Sequence, residues 1–101
     1  MVSRNLRERL RAGDILLMDG ATGSELGRRG VNVSKGSTNE KLGPSSATAN
    51  LDAPNLVWQA HEDYLRLGAD IIASNSFWTN RPKLAVVGLS DRWEECTRAA
   101  G

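Results

Sequence analysis

The sequence predicts an α/β protein whose parallel strands are covered by helices. Two segments of strand length, 14–19 and 69–75, contain apolar runs without alternation, which is typical of strands buried on both faces. Between them, residues 54–67 carry an apolar stripe at helical spacing. This order of elements indicates parallel strands joined through a helix.

The first half of the chain is predicted to hold two short helices around the first strand. Ser3 is a candidate cap for a helix that Gly13 can end. Thr22 and Glu25 have the spacing of a capping box, which predicts a helix over about 23–27. Residues 28–53 are polar, and a connection this long is usually functional or disordered.

The second half is predicted to be more regular. Pro54 suits the first position of a helix over about 54–67, and Gly68 suits its end. Further helices are predicted over about 82–87 and 91–100. Two parallel strands cannot cover their own edges, so residues 1–101 indicate the opening of a larger structure, and a chain that ended there is expected to self-associate.

Composition limits the function classes. The chain has 101 residues, of which 25% are charged, and a formal net charge of +1, which gives no argument for nucleic acid or an anionic membrane as partner. No apolar run approaches the ~20 residues of a membrane span. One cysteine and one histidine cannot build a zinc site of three or four such ligands. A single cysteine excludes an internal disulfide, and a cytoplasmic location is expected.

Polar and aromatic residues follow the second predicted strand. Ser74 and Asn75 offer hydrogen-bonding groups, and Trp78 offers a flat apolar face. Ligands of α/β proteins bind at the carboxyl ends of parallel strands, so these residues indicate a pocket wall, with a capped loop as the alternative. Asp19 ends the first strand, and Gly20 after it would let a ligand approach the backbone.

Two motifs resemble signatures of the homocysteine S-methyltransferase family. Residues 19–26, Asp-Gly-Ala-Thr-Gly-Ser-Glu-Leu, resemble its first-strand signature, and residues 61–77 resemble its second-strand signature. The resemblance implies the amino-terminal part of a TIM (β/α)8 barrel, about two βα units. It also implies transfer of a methyl group to homocysteine, whose sulfur is bound by zinc as a thiolate.

The resemblance also implies roles for individual residues. Asp19 matches the acid that meets the homocysteine amino group, and Gly20 packs beside it. Ser74 and Asn75 match the polar wall of the same pocket. Trp78 matches an aromatic position near the methyl donor, which is S-methylmethionine, betaine or a methylfolate-type donor. The alternatives are helix capping for Asp19, turn formation for Gly20, strand-end capping for the wall and packing for the tryptophan.

The chain departs from the family pattern in two respects. The family's zinc-binding cysteines come from late barrel strands and have no counterpart here, and we assign no ligand role to Cys96 and no catalytic role to His61. Residues 42–46 occupy the region in which the family often has a tryptophan. The 101 residues alone are therefore expected to be inactive. The alternative function is a truncated, non-catalytic α/β fragment with a residual pocket or a role in self-association.

Overall fold

The computed structural model describes residues 5–39 and 42–101, and this part of the chain is helical. Its helices are α1 Leu6–Arg11, α2 Thr22–Arg28, α3 Ala49–Asp52, α4 Pro54–Arg66, α5 Arg81–Ala85, a 3-10 helix Ser90–Arg92 and α6 Trp93–Ala100. The helices predicted over 54–67, 82–87 and 91–100 correspond in position to α4, to α5 and to the 3-10 helix with α6. Within these described ranges, no helix has the length and apolar character needed to cross a membrane.

The predicted parallel sheet does not form in the described residues. Residues 14–19 and 69–75 lie side by side, but they share one isolated parallel bridge, between Met18 and Ile71, and neither segment is a strand. In the first segment Ile15 is 87%, Leu17 is 58% and Met18 is 60% accessible, whereas Leu16, Ile71 and Ile72 are half-buried. The prediction of an α/β class, and of the first βα units of a TIM barrel, is therefore wrong for the part of the chain described here.

Hydrogen bonding explains why the pairing stops at one bridge. The N–H groups of Asp70 and Ile71 both donate to the Leu17 carbonyl, at 2.7 and 3.1 Å, and the Asp19 N–H donates to the Ile71 carbonyl at 3.1 Å. The Leu17 N–H donates at 3.0 Å to the Asp70 carboxylate. A side chain thus takes the place of the next backbone partner. No third segment of the described residues pairs with these two, and a lone pair of short segments is not a stable sheet.

A small core lies where α2, α3 and α4 meet. Four buried residues form it, with two partly buried residues packed against them: Leu26, Ala49, Val57, Ala60, Val31 and Leu56. Complete burial of one leucine side chain stabilises a fold by about 1.5–3 kcal/mol. Leu26 is fully buried and therefore anchors α2 against α4.

The first helix begins with a capping box. The Asn5 side chain accepts a hydrogen bond from the Glu8 N–H at 2.9 Å, and the Glu8 carboxylate accepts one from the Asn5 N–H at 3.3 Å. Two N–H groups that the helix cannot pair are thereby satisfied. Ser3, the predicted cap, lies outside the described residues.

The start of α2 differs from the prediction. The capping residue is Ala21, in the left-handed conformation with φ 51°, and no side chain caps the helix. The predicted capping box of Thr22 and Glu25 is therefore wrong. The Glu25 carboxylate instead pairs with Arg29 at 3.1 Å, four residues along the same helix.

The segment predicted as a long polar loop, 28–53, includes helical residues and buried residues. It contains α3, and residues 46–50 are buried although several are polar. Buried polar groups need hydrogen-bond partners. The partners of this segment lie at the end of the second predicted strand and on α6.

Candidate functional site

A cavity of about 250 Å³ lies between residues 73–78, residues 45–47 and the start of α2. Its walls combine small polar groups with two aromatic rings, and its lining residues are Thr22, Gly23, Ser45, Ser46, Ala47, Ala73, Ser74, Asn75, Ser76, Phe77 and Trp78. The volume lies just below the roughly 300–1,000 Å³ of typical ligand pockets, so only a small ligand would fit. Three predicted site residues, Ser74, Asn75 and Trp78, meet at this cavity, whereas Asp19 and Gly20 are outside its lining.

Asn75 has its amide engaged by the protein. The amide nitrogen donates to the Ser46 carbonyl and to Asn50 Oδ1, both at 2.9 Å, and the amide oxygen accepts from Ser46 Oγ at 3.0 Å. Each of these residues is less than 10% exposed. Both ends of the Asn75 amide are thus satisfied internally, so the side chain holds the two cavity walls together.

Ser74 has a more open position. Its side chain is exposed, and its hydroxyl lies 2.7 Å from the Ser76 hydroxyl. Both residues line the cavity. Since a hydroxyl can donate one hydrogen bond and accept others, this pair keeps capacity for a polar ligand group.

Asp19 lies next to the cavity wall. Its Oδ1 accepts a hydrogen bond at 3.1 Å from the N–H of Ala73, which is a lining residue. Its Oδ2 is buried and has no hydrogen-bond partner. A buried carboxylate oxygen without a donor is costly, because charge is removed from water without compensation. The unpaired oxygen therefore marks a place that a cationic or hydrogen-bond-donating group would stabilise.

Gly20 lies between Asp19 and the start of α2, in a segment without regular secondary structure. The Tyr64 hydroxyl, on α4, donates a hydrogen bond to the Gly20 carbonyl. A Cβ built at position 20 would meet no atom within 4 Å, so the space beside this backbone is open. The chain itself does not require glycine here for packing, and the opening leaves room for a ligand close to the backbone.

Trp78 forms one aromatic wall of the cavity. Its ring meets the Phe77 ring edge to face, with centroids 4.4 Å apart and an interplanar angle of 63°. The Lys83 ammonium lies over the indole, 4.5 Å from the ring centroid. The tryptophan therefore contacts both an aromatic ring and a cation of the same chain.

Four residues near the site were not identified from the sequence. Ser46 and Asn50 lie in the segment predicted as a loop, Tyr64 belongs to a predicted apolar stripe, and Lys83 belongs to a short helix. The adjacent serines at 45 and 46 were a visible signal in the sequence. The partners of Asn50 and Tyr64 are distant in the chain, so local patterns could not identify these two residues. Lys83 contacts Trp78, five residues away, and also Leu42, which is distant in the chain.

Neither Cys96 nor His61 lines this cavity. The Cys96 thiol is fully buried and donates to the Ala47 carbonyl at 3.2 Å, and burial raises the pKa of this thiol. His61 lines a separate groove of about 480 Å³ beside the end of α6. Among residues 5–39 and 42–101, no group of three histidine, cysteine, aspartate or glutamate side chains could hold a metal ion.

Comparison with known proteins confirms the family resemblance. The family model described as homocysteine S-methyltransferase matches residues 16–101. The chain belongs to the homocysteine S-methyltransferase family. Both sequence motifs and every cavity-lining residue fall within the matched range.

Curated relatives of this family member include enzymes from animals and bacteria. Betaine–homocysteine S-methyltransferase 1 of Rattus norvegicus is 31% identical over 81 residues, which cover 80% of this chain and 18% of the relative. Homocysteine S-methyltransferase YbgG of Bacillus subtilis is 34% identical over 77 residues, covering 76% of this chain and 22% of the relative. The chain thus spans about a fifth of the length of these relatives. No solved structure matches it.

Proposed function

We propose that this chain supplies the substrate-binding part of a methyltransferase that moves a methyl group onto the sulfur of homocysteine, giving methionine. Family membership supports the reaction class. The observation that carries the assignment to these residues is the buried, unpaired Oδ2 of Asp19 beside a small polar and aromatic cavity.

Asp19 is proposed to bind the homocysteine amino group. Its Oδ1 is held by the Ala73 N–H, which fixes the carboxylate, and its Oδ2 lacks a donor. An ammonium group would supply both a hydrogen bond and an opposite charge, and such charge-assisted bonds are about twice as strong as neutral ones. The open space beside Gly20 would receive the neighbouring part of the amino acid.

Trp78 is proposed to contact the methyl donor. In S-methylmethionine and betaine the transferable methyl group is bonded to a cationic sulfur or nitrogen, and aromatic faces attract such groups. The names of the animal relatives favour betaine. A methylfolate-type donor would use the same ring by stacking rather than by cation–π attraction.

Zinc binding is not assigned to the described residues. They contain no group of three suitable side chains, and Cys96 has a raised pKa, which disfavours the thiolate form that a metal ligand requires. The zinc implied by the family resemblance is held in the family by cysteines that have no counterpart among these 101 residues. The described residues are proposed to bind and orient the two substrates, with no step at a metal.

We also propose that the 101-residue chain self-associates. Several large apolar side chains are exposed, among them Ile15 at 87%, Leu67 at 85% and Phe77 at 80%. Exposed apolar surface of this kind favours association. Size-exclusion chromatography with light scattering measures the mass, and a monomer at all concentrations would contradict the proposal.

Methionine formation tests the proposed reaction. The complete protein encoded by the open reading frame that contains this chain is incubated with homocysteine and, in turn, betaine, S-methylmethionine and a methylated folate. We expect methionine from one of the three donors. A folded protein that forms methionine from none of them would contradict the proposed function.

A further inference from the structure

Lys83 connects two separate parts of the cavity surroundings. Its ammonium lies 4.5 Å from the centroid of the Trp78 ring, and the same ammonium donates a hydrogen bond to the Leu42 carbonyl at 3.1 Å. Leu42 precedes the wall segment 45–47, and Trp78 ends the wall segment 73–78. The Lys83 side chain, on α5, therefore contacts the end of one wall segment and the residues just before the other.

The position of Lys83 is itself fixed by the start of α5. Its backbone N–H donates to the Asn80 side chain at 3.0 Å, so Asn80 caps the helix and sets where the lysine stem begins. The side chain is half-buried. An ammonium on a fixed stem, bound to a carbonyl and facing a ring, restrains that ring more than a mobile surface lysine would.

We propose that Lys83 is a positioning residue for the methyl donor, acting through Trp78. This inference rests on the proposed function, because it requires Trp78 to contact the donor. Lys83 does not line the cavity, so its contribution is to hold the indole in place and not to bind the donor directly.

The positive charge of Lys83 would repel a cationic donor. This repulsion would act against the positioning effect proposed for Lys83. A donor cation on the cavity side would be repelled by the ammonium, which would weaken binding. The ammonium, however, is hydrogen-bonded to the Leu42 carbonyl, and it is outside the cavity lining. The proposal requires positioning to outweigh this repulsion. Removal of the charge should raise the donor KM if positioning is the larger effect and lower it if repulsion is.

The test compares Lys83→Met with Lys83→Arg in the complete protein. Methionine retains an apolar stem of similar length without the charge, while arginine retains a cation that can lie over an aromatic ring. For Lys83→Met we expect the KM for betaine and for S-methylmethionine to rise roughly three- to tenfold, with the homocysteine KM unchanged. Lys83→Arg should recover most of the loss.

Arg81 provides a matched control on the same helix. Its guanidinium carbon lies over the Trp93 ring, 5.3 Å from the centroid, and neither residue lines the cavity. Arg81→Met removes the same kind of contact from α5. It should leave both donor and homocysteine KM values unchanged.

A second measurement needs no substrate. The indole N–H signal of Trp78, assigned in ¹⁵N-labelled protein with Trp78→Phe, should shift or broaden in Lys83→Met and remain in place in Arg81→Met. An unchanged Trp78 signal would overturn the inference, and so would an unchanged or lowered donor KM. If the wild-type protein forms no methionine, the proposed function fails, and the role of Lys83 toward a donor is overturned with it, even if the indole signal moves.

Discussion

Asn50 and Asn75 hydrogen-bond to each other twice. Asn50 Nδ2 donates to the Asn75 carbonyl at 2.7 Å, and Asn75 Nδ2 donates to Asn50 Oδ1 at 2.9 Å. Asn50 Nδ2 also donates to the Cys96 carbonyl at 3.2 Å. These bonds join α3, the cavity wall and α6. Hydrogen bonds between polar side chains and the backbone therefore connect parts of the chain that are far apart in sequence.

Replacing Asn50 should destabilise the chain. Asn50→Ala leaves the amide of Asn75 and the Cys96 carbonyl with fewer partners, and an unsatisfied buried polar group costs about 1–3 kcal/mol. Urea unfolding measures the loss in the free energy of unfolding. Asn55→Ala, at an exposed position of α4, is the control and should change it by about 0.5 kcal/mol or less. Equal stability of the two variants would contradict this account of Asn50.

Asp19→Asn should raise the homocysteine KM in the complete protein. Asparagine retains an oxygen for the Ala73 N–H but loses the negative charge proposed to bind the amino group. A buried pair with the substrate ammonium implies a loss of roughly 2–4 kcal/mol in transition-state stabilisation. Steady-state kinetics measures it, with Asp91→Asn, an exposed position in the 3-10 helix, as control. An unchanged kcat/KM in folded Asp19→Asn would refute the assignment.

Gly20→Ala separates ligand approach from folding. The added Cβ meets no protein atom within 4 Å, so the thermal stability should be unchanged. If homocysteine packs against this backbone, the methyl group should weaken its binding by about 1–3 kcal/mol, as overpacking does elsewhere. Gly43→Ala is the contrasting control: its Cβ would lie 2.2 Å from the Lys35 carbonyl oxygen and should destabilise the fold. Wild-type homocysteine binding by Gly20→Ala would show that the open space has no ligand role.

Trp78→Leu should weaken binding of a cationic donor by about 1–2 kcal/mol and leave homocysteine binding nearly unchanged. Leucine fills part of the ring volume but offers no π face. Donor affinity is measured by calorimetry with betaine and with S-methylmethionine. Trp58→Leu, on α4 and outside the cavity lining, is the control and should bind both donors normally. If Trp78→Leu does the same, the ring serves only packing.

Asp70 should make the contact between residues 14–19 and 69–75 sensitive to acid. The Arg9 guanidinium first, and the Leu17 N–H second, hold the pKa of this carboxyl below its usual range. A carboxyl with a lowered folded pKa stabilises the fold above the unfolded value of about 3.9, and the stabilisation is lost as pH falls through the folded pKa. The protection factor of the Leu17 N–H, which compares its exchange rate with that of an unstructured amide at the same pH, should therefore fall below about pH 4. In Asp70→Asn the protection of the Leu17 N–H should no longer depend on pH in this range. If the pH dependence persists in this variant, another titrating group causes it.

The sequence predicted Ser74, Asn75 and Trp78 on one pocket wall, and all three line one cavity of the structure. The binding roles proposed for them stay predictions. The sequence could not predict that the Asn75 amide is hydrogen-bonded to Ser46 and Asn50, because those partners are more than 20 residues away. The Asp19 role stays a prediction, to which the structure adds an unpaired carboxylate oxygen.

By itself, the sequence determined the family, because two motifs with distinctive residues at fixed spacing need no structure to be recognised. It also indicated the long helix after Pro54, since an apolar stripe and a starting proline are local signals. Only the tertiary structure decided that the two apolar segments share one bridge instead of a sheet. A strand needs a backbone partner over several consecutive residues, and an apolar composition indicates a preference for burial without supplying that partner.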